Sequence, residues 1–397
     1  MEKGGGRRVV VTSIGVLNSN GNTTEEFFRN CMQGKVGIDK CTIFNTEKLR
    51  TDYVGEIKKS LPYEIDKDKQ ETRVTSIFKD LVKQMLEDSN LSVEDIQKLE
   101  ERACMSIATS VGSNDYIIGY VKHNLKDCLV NNNFSQFASI CGVNGPCYTN
   151  TSACAAGTSA AGTAYSLIHS NRADLVIVVG MDPLTEFSCY GFHSLQNMSD
   201  KPCKPFDKNR DGINIGEGGA IFIFEEYEHA LNRGAKIYGD ICGYSIGNDA
   251  YHSTSPDPTG EGALRVMKNA LTQGGIDAEK LNYINAHGTG TLLNDEMELK
   301  SISGLDKQDP IYVSSTKSMV GHCLAGAGAI ELAATLLSVY HDVVFPTATL
   351  EESQLTYDNI NLIKNKGIYE KVNYALSNSF AFGGNSASIL VGKGKDT

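Results

Sequence analysis

Thr149-Asn150-Thr151-Ser152-Ala153-Cys154-Ala155-Ala156-Gly157 decides how this chain is read. A short polar strand end runs here into small residues whose pattern predicts a buried helix. Cys154 sits at the joint. In the first turn of a helix a thiol faces unpaired backbone N–H groups and the positive end of the dipole, which favour thiolate by about 0.3–2 kcal/mol. Cys154 is therefore a candidate nucleophile. The competing reading is a small buried hydrophobe, the usual role of a free cysteine.

Outward from this joint, strand and helix patterns alternate. Upstream, Arg8–Val16 is β-branched and reads as a buried strand, Thr23-Thr24-Glu25-Glu26 has capping-box spacing, and a helix should end at Gly34. Apolar residues Val74, Ile77, Phe78, Leu81, Val82 and Met85 predict a long amphipathic helix over 66–89, and Cys104–Val111 reads as a buried strand. Downstream, Asp174–Gly180 is an apolar run typical of a strand covered on both faces. Strands at Ala220–Phe224, Lys236–Ile246, Tyr283–Ala286 and Ile311–Val313 interleave with helices over 262–274, from Asn294, and over 322–340. Such alternation predicts an α/β protein with helix-covered sheets. Val11-Thr12-Ser13-Ile14-Gly15 is echoed by Gly243-Tyr244-Ser245-Ile246-Gly247, and Cys154-Ala155-Ala156-Gly157 by Cys323-Leu324-Ala325-Gly326, which predicts two similar halves, 1–235 and 236–397.

Composition narrows the function classes. With 397 residues, 41% of them hydrophobic, the chain can bury a large core. A net charge of -11 argues against a general nucleic-acid or anionic-membrane binder. The start lacks a long apolar segment and the run from Ala325 to Leu337 is interrupted by Glu331, so a cytoplasmic protein without membrane insertion is expected. Eleven cysteines without metal-ligand spacing fit reduced thiols and no zinc site.

Three later stretches bear on Cys154. Asn285-Ala286-His287-Gly288-Thr289-Gly290-Thr291 puts a histidine at the carboxyl end of a strand, where α/β sheets bind ligands. Ser314-Ser315-Thr316-Lys317-Ser318-Met319-Val320-Gly321-His322 is a strand end turning into a helix. A lysine near a helix N-terminus is electrostatically disfavoured and calls for a partner, for which Glu331, set in an apolar helix, is the obvious choice. Asn378-Ser379-Phe380-Ala381-Phe382-Gly383-Gly384 ends in a glycine turn whose N–H groups could face an oxyanion.

The four motifs T-S-A-C, N-A-H-G-T-x-T, K-S-x-x-G-H and N-S-F-x-F-G-G together resemble the β-ketoacyl-acyl carrier protein synthases, condensing enzymes of the thiolase fold. The resemblance runs over nearly the whole chain. It implies a five-layered αβαβα fold and an elongating synthase of the Cys-His-His type. Cys154 would take an acyl chain from a carrier-protein thioester, and His287 and His322 would bind the malonyl thioester carbonyl and stabilise the enolate left by decarboxylation. The N–H groups of Cys154 and Phe382 would form the oxyanion hole, with Phe382 also a gate. Lys317 and Glu331 would hold the charge balance. Thr289, Thr291, Thr254, Ser255 and Phe380 would contact the substrate and its phosphopantetheine arm, and Asp295 and Glu298 would be structural. No metal or redox cofactor is implied.

Carrier proteins are acidic, which makes Lys67, Lys69, Arg73, Lys204, Lys208 and Arg210 candidates for docking; Lys204 stands where the family often has arginine. Asp115 and Tyr116, bulky and polar near the far end of the expected pocket, suggest a specialised acyl chain. The resemblance further implies either a homodimer in fatty acid elongation or a heterodimer with a chain-length-factor-like subunit in polyketide elongation. Retention of Cys154, His287, Lys317 and His322 argues against the non-catalytic partner subunit, and the lack of a cysteine over 380–384 against a thiolase. A cysteine acyl hydrolase would transfer the acyl group to water instead.

Overall fold

The computed structural model describes residues 6–61, 72–112, 136–305 and 307–394. Its frame is an eleven-stranded sheet: β1 (Val9–Asn18), β2 (Ala103–Ala108), β3 (Cys147–Asn150), β4 (Leu175–Asp182), β5 (Gly218–Glu226), β6 (Gly239–Asn248), β7 (Tyr283–Asn285), β8 (Ile311–Ser314), β9 (Ile360–Leu362), β10 (Tyr374–Phe380) and β11 (Asn385–Gly392). The helices that matter here are α1 (Arg73–Ser89), α2 (Ala156–His169), α3 (Glu186–Ser194), α4 (Glu261–Gly274), α5 (Leu292–Ser303) and α6 (Ala325–His341).

The spatial order is β9-β8-β7-β10-β11-β6-β1-β5-β4-β2-β3. Within it, β3-β2-β4-β5-β1 repeats as β8-β7-β10-β11-β6. In each set β2 or β7 runs parallel to both its neighbours and the last two pairings are antiparallel. The sequence echo is thus a repeated fold unit, and the two units join through a short antiparallel pairing of β1 with β6 at Val9–Val11 and Gly239–Ile241. Helices α2 and α6 begin at Ala156 and Ala325, the positions the echo aligned.

Alternation along the strands assigns side chains to layers. On β4, Val176 and Val178 join the core around α2 and α6, whereas Leu175, Ile177 and Val179 meet α1 residues such as Ile77, Phe78 and Leu81. On the second unit, Ile389 and Val391 face the central helices, and Leu390 packs with Met267 and Leu271 of α4. The result is five layers, with α1 outside one half, α2 and α6 in the middle, and α4 outside the other.

The middle layer needs very close helix contact. A Cβ on Gly157 would lie 2.7 Å from the Ala325 carbonyl and from the Ala329 nitrogen, and one on Gly328 would lie 2.6 Å from Thr158 Oγ1. Helix α1 begins at Arg73, where Thr72 is extended and its hydroxyl accepts the Thr75 N–H as an N-cap; residues 66–71 of the expected helix lie outside the described residues. No helix among the described residues is long and apolar enough to cross a membrane.

Gly157→Val should cost about 1–3 kcal/mol or more through overpacking, whereas Gly191→Ala, in α3 with nothing within 4 Å of the added Cβ, should cost nothing. Thermal unfolding of both variants checks this, and equal midpoints would contradict it.

Candidate active site

Loops at the ends of parallel strands and the starts of the two central helices converge on a cavity of about 370 Å³. Cys154, His287, His322, Phe380 and Phe382 line it, and so do Thr254, Ser255, Thr289 and Thr291. Cys154 lies in a 3₁₀ turn, Ala153–Ala155, just ahead of α2, with Ala153 held at φ 50°. His287 follows β7, and His322 follows the short helix Lys317–Val320. Both imidazoles are buried and their rings meet edge to face with centroids 5.5 Å apart.

Behind His287 lies a buried ion pair. Lys317 Nζ donates to His287 Nδ1 at 3.0 Å and to the His287 carbonyl at 2.6 Å, and it pairs with Glu331 Oε1 from α6. An ammonium group has donors only, so Nδ1 of His287 must be an acceptor, and the neutral ring carries its proton on Nε2. His322 is set the same way by a different group. The Leu324 N–H donates to its Nδ1 at 3.1 Å, which leaves Nε2–H as the donor. Burial and the nearby Lys317 charge hold both imidazoles well below the usual histidine range, with His322 adding to the effect on His287. Burial pushes the Glu331 carboxyl up to about 7 against the opposing pull of Lys317.

The Gly-Thr loop after His287 is clasped by two buried carboxylates of α5. Glu298 accepts the His287 and Gly288 N–H groups at 2.8 and 2.7 Å, and Asp295 accepts those of Thr289 and Gly290 at 3.1 and 3.2 Å. Burial raises Asp295, and lifts Glu298 to about 7. The Thr289 and Thr291 hydroxyls are 2.9 Å apart. Across the cavity, the turn at Phe382 has Gly383 and Gly384 at φ 79° and 75°, and the Gly383 N–H is engaged by the Ser253 carbonyl at 2.8 Å.

Several sequence expectations need correction. The lowering that the helix start would give the Cys154 thiol is outweighed by burial. Burial pushes the thiol up to about 12, against a lowering by Lys317, because a charge in this enclosed turn loses more hydration than the local N–H groups return. Arg73 is not a docking residue: it turns inward and its Nε donates to the buried Glu217 at 2.6 Å. Arg210 is also buried, donating to the carbonyls of Asp207 and Leu292 at 3.0 and 3.2 Å. Lys204 is half-buried and Lys208 exposed, and each pairs with an acid, Glu351 and Glu352 respectively. Lys67, Lys69, Asp115 and Tyr116 lie outside the described residues.

Two residues were missed. Phe192 of α3 stacks on Phe382 with centroids 5.7 Å apart and faces His322 at 6.4 Å, a contact that no local pattern announces. Asp182, buried at the end of β4, accepts the Ala325 N–H at 2.8 Å together with the N–H groups of Ser110 and Val111, and so pins the start of α6 to the first half. A carboxylate closing a wholly apolar strand was the available signal.

Comparison with known proteins agrees with this architecture. The family models "Beta-ketoacyl synthase, N-terminal domain" and "Beta-ketoacyl synthase, C-terminal domain" match residues 6–230 and 238–351. The chain belongs to the beta-ketoacyl synthase family. Among curated beta-ketoacyl synthases it is 35% identical to 3-oxoacyl-[acyl-carrier-protein] synthase 2 of Synechocystis sp. and 32% identical to that of Staphylococcus aureus, each over 98% of both chains. Similar solved structures are the ishigamide ketosynthase/chain length factor, with a TM-score of 0.89 and 28% identity, and a type II polyketide ketosynthase in complex with its acyl-carrier protein, with a TM-score of 0.87 and 30% identity. Each match covers 98% of this chain and 100% of the other. As a ketosynthase, the protein is an acyltransferase of fatty acid or polyketide chain elongation.

A resting thiol predicts that alkylation of Cys154 by iodoacetamide, followed by peptide mass spectrometry, rises about tenfold per pH unit from pH 7 to 10. A plateau below pH 8 would contradict it.

Proposed function

We propose that Cys154 is the acyl acceptor and that His287 and His322 are the donors that stabilise the enolate in a decarboxylative condensation. The observation that carries this reading is the pair of neutral imidazoles, each fixed by its surroundings as an Nε2–H donor, lining one cavity with the thiol.

In the first half-reaction the Cys154 sulfur attacks a carrier-bound thioester; the carbonyl–sulfur bond to the arm breaks, and the arm leaves as a thiol carrying the Cys154 proton. A thioester is exchanged for a thioester, so the acyl group stays reactive. In the second, a malonyl thioester binds with its carbonyl oxygen on His287 and His322. The bond to the carboxylate breaks, CO₂ leaves, and the electron pair stays as an enolate. Two preorganised donors are suited to this charge, each worth about 2.7–4 kcal/mol. The enolate carbon attacks the acyl carbonyl on Cys154, whose oxyanion faces the N–H groups of Cys154 and Phe382. Collapse forms the β-ketoacyl thioester and releases a thiolate, which takes up a proton from water. Electrons come from decarboxylation alone, so the scheme uses no redox cofactor.

Lys317 and Glu331 act as positioning residues behind His287, and Asp295 and Glu298 as holders of its loop. Thr254, Ser255, Thr289 and Thr291, which line the cavity, bind the phosphopantetheine arm in this reading, with Phe380 and Phe382 against the acyl group. By likeness to neighbours described as ketosynthases with an acyl-carrier protein or a chain length factor, the partners are an acyl carrier protein and a second subunit of the same fold, either a copy or a chain-length-factor-like chain. Retention of the thiol and both imidazoles favours the catalytic subunit over its non-catalytic counterpart.

Incubation with malonyl-carrier protein and an acyl-carrier primer should release CO₂ and yield a β-ketoacyl product, with the acyl group trapped on Cys154 when malonyl is omitted. His287→Ala and His322→Ala should each lower condensation by about 10²–10³. Acyl release to water without CO₂ would contradict the proposal.

A further inference from the structure

Leu324, two residues after His322, is held in a strained backbone conformation. It stands at φ 52° and ψ -122°, and the Gly326 N–H closes on the Cys323 carbonyl at 2.9 Å. Cys323-Leu324-Ala325-Gly326 is thus a type II′ turn with a leucine at the corner that favours glycine. Such a conformation persists only where the surroundings over-determine it. Two successive N–H groups supply the reason. That of Leu324 donates to His322 Nδ1 at 3.1 Å, and that of Ala325 donates to Asp182 Oδ2 at 2.8 Å. Turning Leu324 to an ordinary negative φ would rotate one N–H against the other, and the two acceptors could no longer be met together. The His322 backbone cannot follow, because its N–H is held by the Asn214 carbonyl at 2.8 Å and its carbonyl by the Gly216 N–H at 2.9 Å.

Asp182 is fixed from its other side. It is fully buried at the end of β4, and the Thr109 hydroxyl and the N–H groups of Ser110 and Val111, from the turn that follows β2, all donate to it. A carboxylate can accept these and the Ala325 N–H at once, whereas an amide of the same shape would set its own NH₂ against a donor. An acid beside a helix start would stabilise α6 in any case, but that alone does not require a strained leucine between the acid and a histidine. We infer that Asp182 is a positioning residue for His322. By holding the Ala325 N–H it keeps the Leu324 turn strained, and the strained turn keeps the Leu324 N–H on Nδ1 and the ring proton on Nε2. The first half of the fold thus sets the tautomer of a histidine in the second. The consequence for condensation rests on the role proposed for His322 above; the tautomer itself does not.

The test is ¹⁵N NMR of the histidine-labelled full chain at pH 7, assigned with His322→Ala, for Asp182→Asn and for the double variant D182N/L324G. D182N should shift His322 toward the Nδ1–H tautomer and leave His287 protonated on Nε2. Glycine takes the corner conformation without strain, so D182N/L324G should return His322 to Nε2–H. A helix-capping role alone would leave the tautomer unchanged in D182N. In turnover, decarboxylation of malonyl-carrier protein by D182N should fall by about tenfold or more, within the 10²–10³ set by outright loss of the donor. The same substitution made in His322→Ala should alter the remaining rate by less than about twofold, because effects that act through one residue do not add. An unchanged His322 in D182N, Nδ1–H on His322 in D182N/L324G, or an undiminished cost of D182N in the His322→Ala background would overturn the inference. Should D182N alone not fold, the double variant decides: Nε2–H on His322 supports the inference, and Nδ1–H or a second failure to fold overturns it. Absence of CO₂ release by the wild type would instead overturn the condensing role alone, since the tautomer is read without turnover.

Discussion

One buried ammonium group, Lys317 Nζ, holds the reactive end of this molecule together. Its hydrogen bonds reach the His287 ring, the His287 backbone and Glu331, and so join the end of β7 to the middle of α6. An isolated charge in such a place would be strongly destabilising, and removing one member of a buried pair commonly costs about 3–5 kcal/mol. The burial is tolerated because every donor is used. In return, the lysine settles which nitrogen of His287 is available and keeps the ring from taking a second proton. The proposed condensation gains from fixed donors, which need no rearrangement when negative charge develops.

The fold places these groups by duplication. Each half delivers a strand end and a buried helix to the same middle layer, and the glycines at 157 and 328 let α2 and α6 approach until their beginnings share a cavity. The two beginnings are used differently. Before α2 stands the thiol; before α6 stand His322 and the Leu324 N–H that orients it. Asp182 crosses between the halves to hold the α6 terminus, so this junction is not left to helix packing alone.

Much of this was legible in the chain because the chemistry sits in contiguous motifs. Strand-then-turn patterns located Cys154, His287 and His322, and the lone acid in an apolar helix correctly suggested the Lys317–Glu331 pair. What failed depended on distant partners or on enclosure. Arg73 and Arg210 read as surface charge because the groups that claim them, Glu217 and the Leu292 carbonyl, are remote in sequence. The helix-dipole preference for thiolate at Cys154 was a local argument that left out burial. Thr72 was passed over as the cap of α1, and Phe192 could be placed only by three-dimensional contact.

The central claim is that both imidazoles lining the cavity are neutral and protonated on Nε2 before substrate arrives. The most direct measurement is ¹⁵N NMR of histidine-labelled protein between pH 5 and 8, assigned with single His287 and His322 variants. The account predicts that both rings keep an unprotonated Nδ1 and a protonated Nε2 down to pH 6. An imidazolium at either position at pH 6, or a proton on Nδ1 of either neutral ring, would contradict it.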